Sequence, residues 1–171
     1  IWILGLASAT MYVTRYAINS WGVLYLQEIR GYSLIEAGGI ISLNTFTGIL
    51  GCVAFGFISD KYFKARRPPV TLMFGIVEII SLLVIFFGPN STIVLTIAFL
   101  VYGFTLSGLL AVLGGLFALD IAPKNISGAA MGFIGLFSYI GAGIQEKISS
   151  LLIKTSTLEA SSDLVYNFDS A

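Results

Sequence analysis

Histidine is absent from this chain, cysteine occurs once and proline four times. Charge is scarce as well: 11% of the 171 residues are Asp, Glu, Lys or Arg, against about 25% in an ordinary soluble domain. The single thiol, Cys52, sits inside an apolar run. With it alone and no imidazole, an internal disulfide, a metal centre and a histidine-assisted nucleophile all lack their usual residues. No cofactor and no enzyme activity are therefore expected. Nine basic residues cancel nine acidic ones, so the broad basic surface that nucleic acid requires is missing too.

What remains is apolar. Hydrophobic residues make up 57% of the chain and the mean hydropathy is +0.94. Nineteen glycines and eight tyrosines suit membrane helices, where small residues allow close approach and tyrosine sits at the interface. A bilayer core of roughly 30 Å needs about 20 apolar residues per helix. Five segments reach that length: Ile1–Leu26, Leu34–Ser59, Val70–Gly88, Ile93–Leu119 and Ile126–Ile153. The expectation is an all-α integral membrane protein with about five transmembrane helices.

The breaks between segments carry turn chemistry. Gln27–Ser33 is polar and holds Gly31, and Gly88-Pro89-Asn90-Ser91-Thr92 reads as a tight turn ending in a helix N-cap. Asp60–Pro69 is basic and closes on Pro68-Pro69, residues suited to a first helical turn. Residues 1–153 then form a partial transmembrane bundle, and 154–171, with Glu159, Asp163 and Asp169, a polar extracytoplasmic loop segment before a missing last helix. Lys61, Lys64, Arg66, Arg67 and Lys124 fall on one side of five alternating helices, and Arg30, Lys147 and Lys154 on the other. The positive-inside bias makes the Asp60–Pro69 loop cytoplasmic. With no initiator methionine and no charged leader, the chain is expected to be part of a longer protein.

Arg15 is the most informative residue. It lies halfway along the first segment, where a cation costs at least about 2.5–3.5 kcal/mol, and the nearest acid in sequence is Glu28. Its planar fork suits a phosphate or carboxylate, so one reading is an anion site at mid-membrane. The other is an arginine that pairs with a carboxylate on another helix, or snorkels. Tyr12, three residues earlier, shares its helix face and orients the guanidinium, touches the ligand or simply packs. Glu78, mid-way along the third segment, is a proton relay or a helix-packing residue. Asn44, Thr45 and Thr47 read as helix–helix hydrogen-bonding groups. Gly48, Gly51 and Gly56, like Gly128, Gly132 and Gly135, read as small faces for close contact.

Three stretches and one loop carry a resemblance. Gly56-Phe57-Ile58-Ser59-Asp60-Lys61-Tyr62-Phe63-Lys64-Ala65-Arg66-Arg67 resembles the loop signature of the major facilitator superfamily, in which an aspartate and basic residues form a gate latch; a plain basic loop is the other reading. Tyr12-Val13-Thr14-Arg15-Tyr16 with Trp21 resembles the seventh helix of the organophosphate:phosphate antiporters, the hexose-phosphate and glycerol-3-phosphate transporters. Ala118-Leu119-Asp120-Ile121-Ala122-Pro123-Lys124 resembles their loop between helices ten and eleven. Residues 132–141, Gly132-Phe133-Ile134-Gly135-Leu136-Phe137-Ser138-Tyr139-Ile140-Gly141, resemble helix eleven. The likeness runs in order from residue 1 to about 153, and so implies helices 7–11 of a twelve-helix fold.

By that resemblance Arg15 falls on the phosphate-binding arginine of the C-terminal half, and Tyr12 and Tyr139 on tyrosines lining the central pore. Asp60, Lys61, Lys64 and Arg67 fall on the cytoplasmic gate. Departures lie at the organic end of the site. Ser20 stands where glycerol-phosphate members carry an aspartate, Gly108 and Leu110 where they carry a pore tyrosine and a proline, and Met131 and Ile134 where one hexose-phosphate type has an acid–base pair. The implied function is exchange of a sugar phosphate, hexose phosphate foremost, for inorganic phosphate by alternating access. The implied setting is a multi-pass protein of a bacterial inner membrane, working with the N-terminal half of the same protein. The alternative is a membrane sensor for hexose phosphate with a histidine-kinase partner.

Overall fold

The computed structural model describes the backbone of residues 1–64 and 66–168 and side chains as far as Leu151. It is helical throughout the expected segments. The elements are α1 (Trp2–Glu28), α2 (Leu34–Phe63), α3 (Arg67–Phe87), α4 (Thr92–Ala111), a π-helical turn (Val112–Leu116) running directly into α5 (Phe117–Ile121), and α6 (Ser127–Phe168). Leu34–Phe63, Arg67–Phe87, Thr92–Ile121 and Ser127–Leu151 are long and apolar enough to cross a membrane. At 27 residues α1 has the length as well, about 40 Å at 1.5 Å per residue. Its composition is more polar because it carries Arg15, Asn19 and Ser20, all exposed.

Local chemistry sets the helix ends. Ser33 caps α2 through a reciprocal box with Glu36, the Glu36 amide donating to Ser33 Oγ and the Ser33 amide to the Glu36 carboxylate. Gly31, at φ 74°, makes the preceding turn, a conformation that costs glycine little. Pro68 and Pro69 occupy the first turn of α3, as their fixed φ favours. Asp60 and Lys61 lie in the last turn of α2 rather than in a loop, and the link to α3 is short. Far along α3, Arg30 donates from Nη2 to the carbonyls of Ile85 (2.8 Å) and Phe86 (3.1 Å) and from Nη1 to Gly88 (3.3 Å). It thereby satisfies C-terminal carbonyls that the helix leaves open.

The helices pack as α1 against α6, and α4 against both α2 and α3, with α1 also meeting α2 and α4. Small residues set the crossings. A Cβ on Gly51 would enter the Phe104 backbone, and one on Gly103 the Asn44 backbone, so α2 and α4 touch main chain to main chain. Thr47 Oγ1 donates to the Leu100 carbonyl there (3.0 Å). At the α1–α6 seam Gly141 faces the Ala9 backbone and Gly5 the Phe137 ring, while Ser8 and Ser138 share a buried 2.7 Å hydrogen bond. Of the small faces expected from sequence, Gly48 and Gly51 make close contact, whereas Gly56, Gly128, Gly132 and Gly135 face open space among the described residues. Helix α6 continues through the polar stretch expected to be a loop, as far as Phe168. Side chains beyond Leu151, and residues 169–171 altogether, lie outside the described residues.

Candidate functional site

Helix α1, packed against α6 and also meeting α2 and α4, carries Arg15 thirteen residues from either end. That places the guanidinium roughly 20 Å from each terminus by helical rise. Arg15 is exposed to a cavity of about 370 Å³ that opens on one side. Tyr12, Arg15 and Asn19 supply one wall from α1, Asn44 and Thr45 another from α2, and Ser107 a third from α4. Asn44 is buried at 3% exposure, yet its side-chain oxygen has no hydrogen-bond partner. The cavity therefore sets neutral polar groups, together with apolar Leu106 and Leu110, around a single cation.

Aromatic rings tie the expected binding residues together. The Arg15 guanidinium carbon lies 5.8 Å from the centroid of the Tyr12 ring, within reach of a cation–π attraction. Tyr12 in turn meets Tyr139 of α6 edge-on at 5.7 Å and Tyr16 at 6.2 Å. Arg15, Tyr12 and Tyr139 are thus one cluster, with Tyr139 reaching the open side at 65% exposure. Among the described residues Arg15 makes no ion pair, since Arg67 Nε–Asp120 Oδ2 at 3.1 Å is the one salt bridge there. No carboxylate among the described residues neutralises it.

Glu78 lies elsewhere. It is 2% exposed between α3 and α4 and accepts a hydrogen bond from Thr105 Oγ1, away from the cavity lining. The helix-packing reading of this carboxylate is the one its surroundings support. Thr47 bonds across helices as expected, while Asn44 and Thr45 turn out to line the cavity.

At the opposite end from Arg30, the gate residues divide. Arg67, in the first turn of α3, reaches Asp120 at the end of α5, so its partner in this conformation is not Asp60. Asp60 is exposed, and Lys61 lies over the rings of Phe57 (5.0 Å) and Tyr62 (5.9 Å) of its own helix. Lys64 ends α2 at φ 52°.

Three polar residues escaped sequence reasoning. Glu146 of α6, inside the span Ser127–Leu151, accepts a hydrogen bond from Ser20 Oγ of α1. A carboxylate in an apolar segment seven residues after Tyr139 was the available signal, since seven residues return nearly to the same helix face. Asn19 and Ser107 were likewise missed, because a lone polar residue does not say which way a helix turns.

Residues 1–145 match the family model of the Major Facilitator Superfamily. The chain belongs to the major facilitator superfamily. It is accordingly a multi-pass membrane protein of a transport fold. Among the similar proteins, the membrane sensor protein UhpC of Salmonella typhimurium is 37% identical over 145 residues, covering 84% of this chain and 33% of that protein. The glycerol-3-phosphate transporter of Bacillus subtilis is 35% identical over 142 residues, 82% of this chain and 32% of the relative. A probable hexose phosphate transport protein of Chlamydia trachomatis is 36% identical over 145 residues, 83% and 31% respectively. The chain spans about a third of the length of these relatives. Within this superfamily member, the described helices place the cation, its tyrosines and the polar lining on one open face.

Proposed function

We propose that this chain is the helix 7–11 part of a carrier that exchanges a sugar phosphate, preferably a hexose phosphate, for inorganic phosphate. The observation that carries the reading is the cavity around Arg15 at mid-helix, which has no ionic partner among the described residues, with Tyr12 in its wall and Tyr139 against Tyr12. A guanidinium held there at a cost of at least about 2.5–3.5 kcal/mol is compensated by binding a dianion through two parallel hydrogen bonds. Asn19, Asn44 and Ser107 supply neutral hydrogen-bonding groups around it. Support for the phosphate class comes from the relatives, two named for glycerol 3-phosphate or hexose phosphate transport.

A second cation from the N-terminal half would complete the clamp, at the mid-membrane depth where carriers of this architecture place their ligands. Like charges facing one another across an empty site repel, so the loaded carrier reorients and the empty one does not. That asymmetry makes the exchange obligatory. The membrane is a bacterial inner membrane, with the Asp60–Pro69 region on the cytoplasmic side. There the Arg67–Asp120 pair and the neighbouring Asp60 act as a latch that is made in one state and broken in the other.

A second reading is favoured by the similarity to UhpC, a membrane sensor protein: the same site would bind hexose phosphate and report it to a kinase without net transport. Proteoliposomes containing the full-length protein and loaded with labelled phosphate separate the two. Efflux that requires external glucose 6-phosphate, and that Arg15→Lys abolishes, is the expected result. Arg15-dependent binding without efflux moves the protein to the sensor class.

A further inference from the structure

The Ser20–Glu146 contact lies where an anion carrier has least use for a negative charge. Glu146 is half-buried on α6 within its membrane span, and Ser20 is exposed on α1. Ser20 Oγ donates to Glu146 Oε1, and no cation among the described residues pairs with this carboxylate. Ionisable groups kept inside a membrane span face a cavity or a partner. Helix adhesion does not explain this one. The α1–α6 seam already has its neutral, fully buried link in Ser8–Ser138, and a glutamine would bridge to Ser20 without any charge.

Its placement ties it to the cavity. Ser20 follows Asn19, which lines the cavity with Arg15 and Tyr12. Glu146 stands seven residues after Tyr139, two turns along nearly the same face of α6. By helical rise Ser20 is roughly 7.5 Å beyond Arg15, and Glu146 roughly 10 Å beyond Tyr139, both toward the Arg30 end. By helical rise a carboxylate thus stands beyond the mid-depth cation, toward the Arg30 end, beside the cavity that Asn19 lines rather than within its lining. Such an arrangement matches a ligand that is anionic at one end and bears only hydroxyl donors at the other.

We propose that Glu146, held in place by Ser20, is a specificity-determining residue whose carboxylate accepts hydroxyls of the organic part of a sugar phosphate seated on Arg15. This rests on the organophosphate reading above and adds the group that reads the sugar. A carboxylate receives hydrogen bonds from hydroxyls and repels a second anion, so it favours the phosphorylated sugar over free phosphate. A site built around a substrate hydroxyl discriminates strongly against a ligand that lacks it.

The test is equilibrium binding of glucose 6-phosphate and, separately, of inorganic phosphate to the full-length protein in nanodiscs. Unsubstituted protein is compared with Glu146→Gln, Ser20→Ala and Arg15→Lys. Glu146→Gln is expected to weaken glucose 6-phosphate binding about tenfold or more and to strengthen phosphate binding, because a like charge is gone. Ser20→Ala shifts the same ratio in the same direction by a smaller factor, and it supplies the test should Glu146→Gln not fold. Arg15→Lys weakens both ligands. Equal loss of both ligands in Glu146→Gln, or no change in the ratio between them, overturns the proposal. Unsubstituted, folded protein that binds neither ligand overturns the Arg15 phosphate site itself, an outcome distinct from a failure of Glu146 alone.

Discussion

At the scale of single residues, the contrast between Arg15 and Glu78 separates a proposed binding group from a packing group. Both are charges in mid-helix, yet Arg15 opens onto a cavity and lacks an ionic partner among the described residues, while Glu78 is sealed between α3 and α4 with Thr105 donating to it. Replacing Arg15 by lysine keeps the charge and loses the planar fork. Affinity for phosphate is expected to fall about ten- to a hundredfold, the value of one or two charge-assisted hydrogen bonds, as measured by calorimetric titration. Glu78→Gln keeps the acceptor for Thr105 and lies away from the site. It is expected to leave phosphate affinity within about twofold, whereas Glu78→Ala, which removes the buried link between α3 and α4 and leaves a void there while Thr105 keeps its bonds to the Val101 and Tyr102 carbonyls, lowers the unfolding temperature by an amount consistent with about 1–3 kcal/mol. A fall in phosphate affinity of tenfold in Glu78→Gln would instead make this carboxylate part of the binding machinery.

At the scale of elements, helix crossings and helix ends carry the fold. The α2–α4 contact has no room for a side chain at Gly51 or Gly103, because each faces the partner's backbone rather than a movable side chain. Gly51→Val is therefore expected to cost at least about 1–3 kcal/mol and to appear as loss of folded protein, while Gly56→Ala, in open space, is tolerated. The Arg30 cap gives a second check. Arg30→Ala leaves the carbonyls of Ile85, Phe86 and Gly88 short of donors and also removes the donor to the Tyr25 hydroxyl. About 1–2 kcal/mol of stability is expected to go with it, read by thermal unfolding, with phosphate affinity retained.

Elements also show what was legible beforehand. Five hydrophobic stretches of bilayer length named five helices, and Pro68-Pro69 named the start of α3, since length and fixed φ are properties of a segment by itself. Three features were not legible for one physical reason: they depend on which way a helix faces. The glycines at 48 and 51 and those at 128, 132 and 135 look alike in sequence, yet one set meets a helix and the other meets open space. The π-helical turn at Val112–Leu116 re-aims the end of α4 without any proline to announce it. Glu146 acquired meaning once α1 lay beside α6 and Ser20 came within reach.

At the scale of the whole molecule, the helices pack as a bundle, and the cavity around Arg15 is the surface on which the N-terminal half is proposed to act. Arg15, Tyr12 and Tyr139 stand together in one cluster, while Arg67, expected to pair with Asp60 in a latch, contacts Asp120 instead. That pair is partly exposed, so it contributes up to about 1 kcal/mol. Asp120→Asn is accordingly expected to change exchange rates by no more than about fivefold without altering phosphate affinity. The swapped pair Arg67→Asp with Asp120→Arg should restore the original rate if the contact governs the latch.

The central claim is that the cavity beside Arg15 is where the phosphorylated ligand sits. Cys52 tests it directly: this exposed thiol lines the same cavity and is the one cysteine of the chain. The rate at which a small thiol reagent modifies Cys52 would be followed by peptide mass spectrometry in the full-length protein, with and without phosphate or glucose 6-phosphate. The account predicts that either ligand slows modification and that the protection vanishes in Arg15→Lys. Cys52 reacting at an unchanged rate while the ligand is demonstrably bound would place the ligand elsewhere and contradict it.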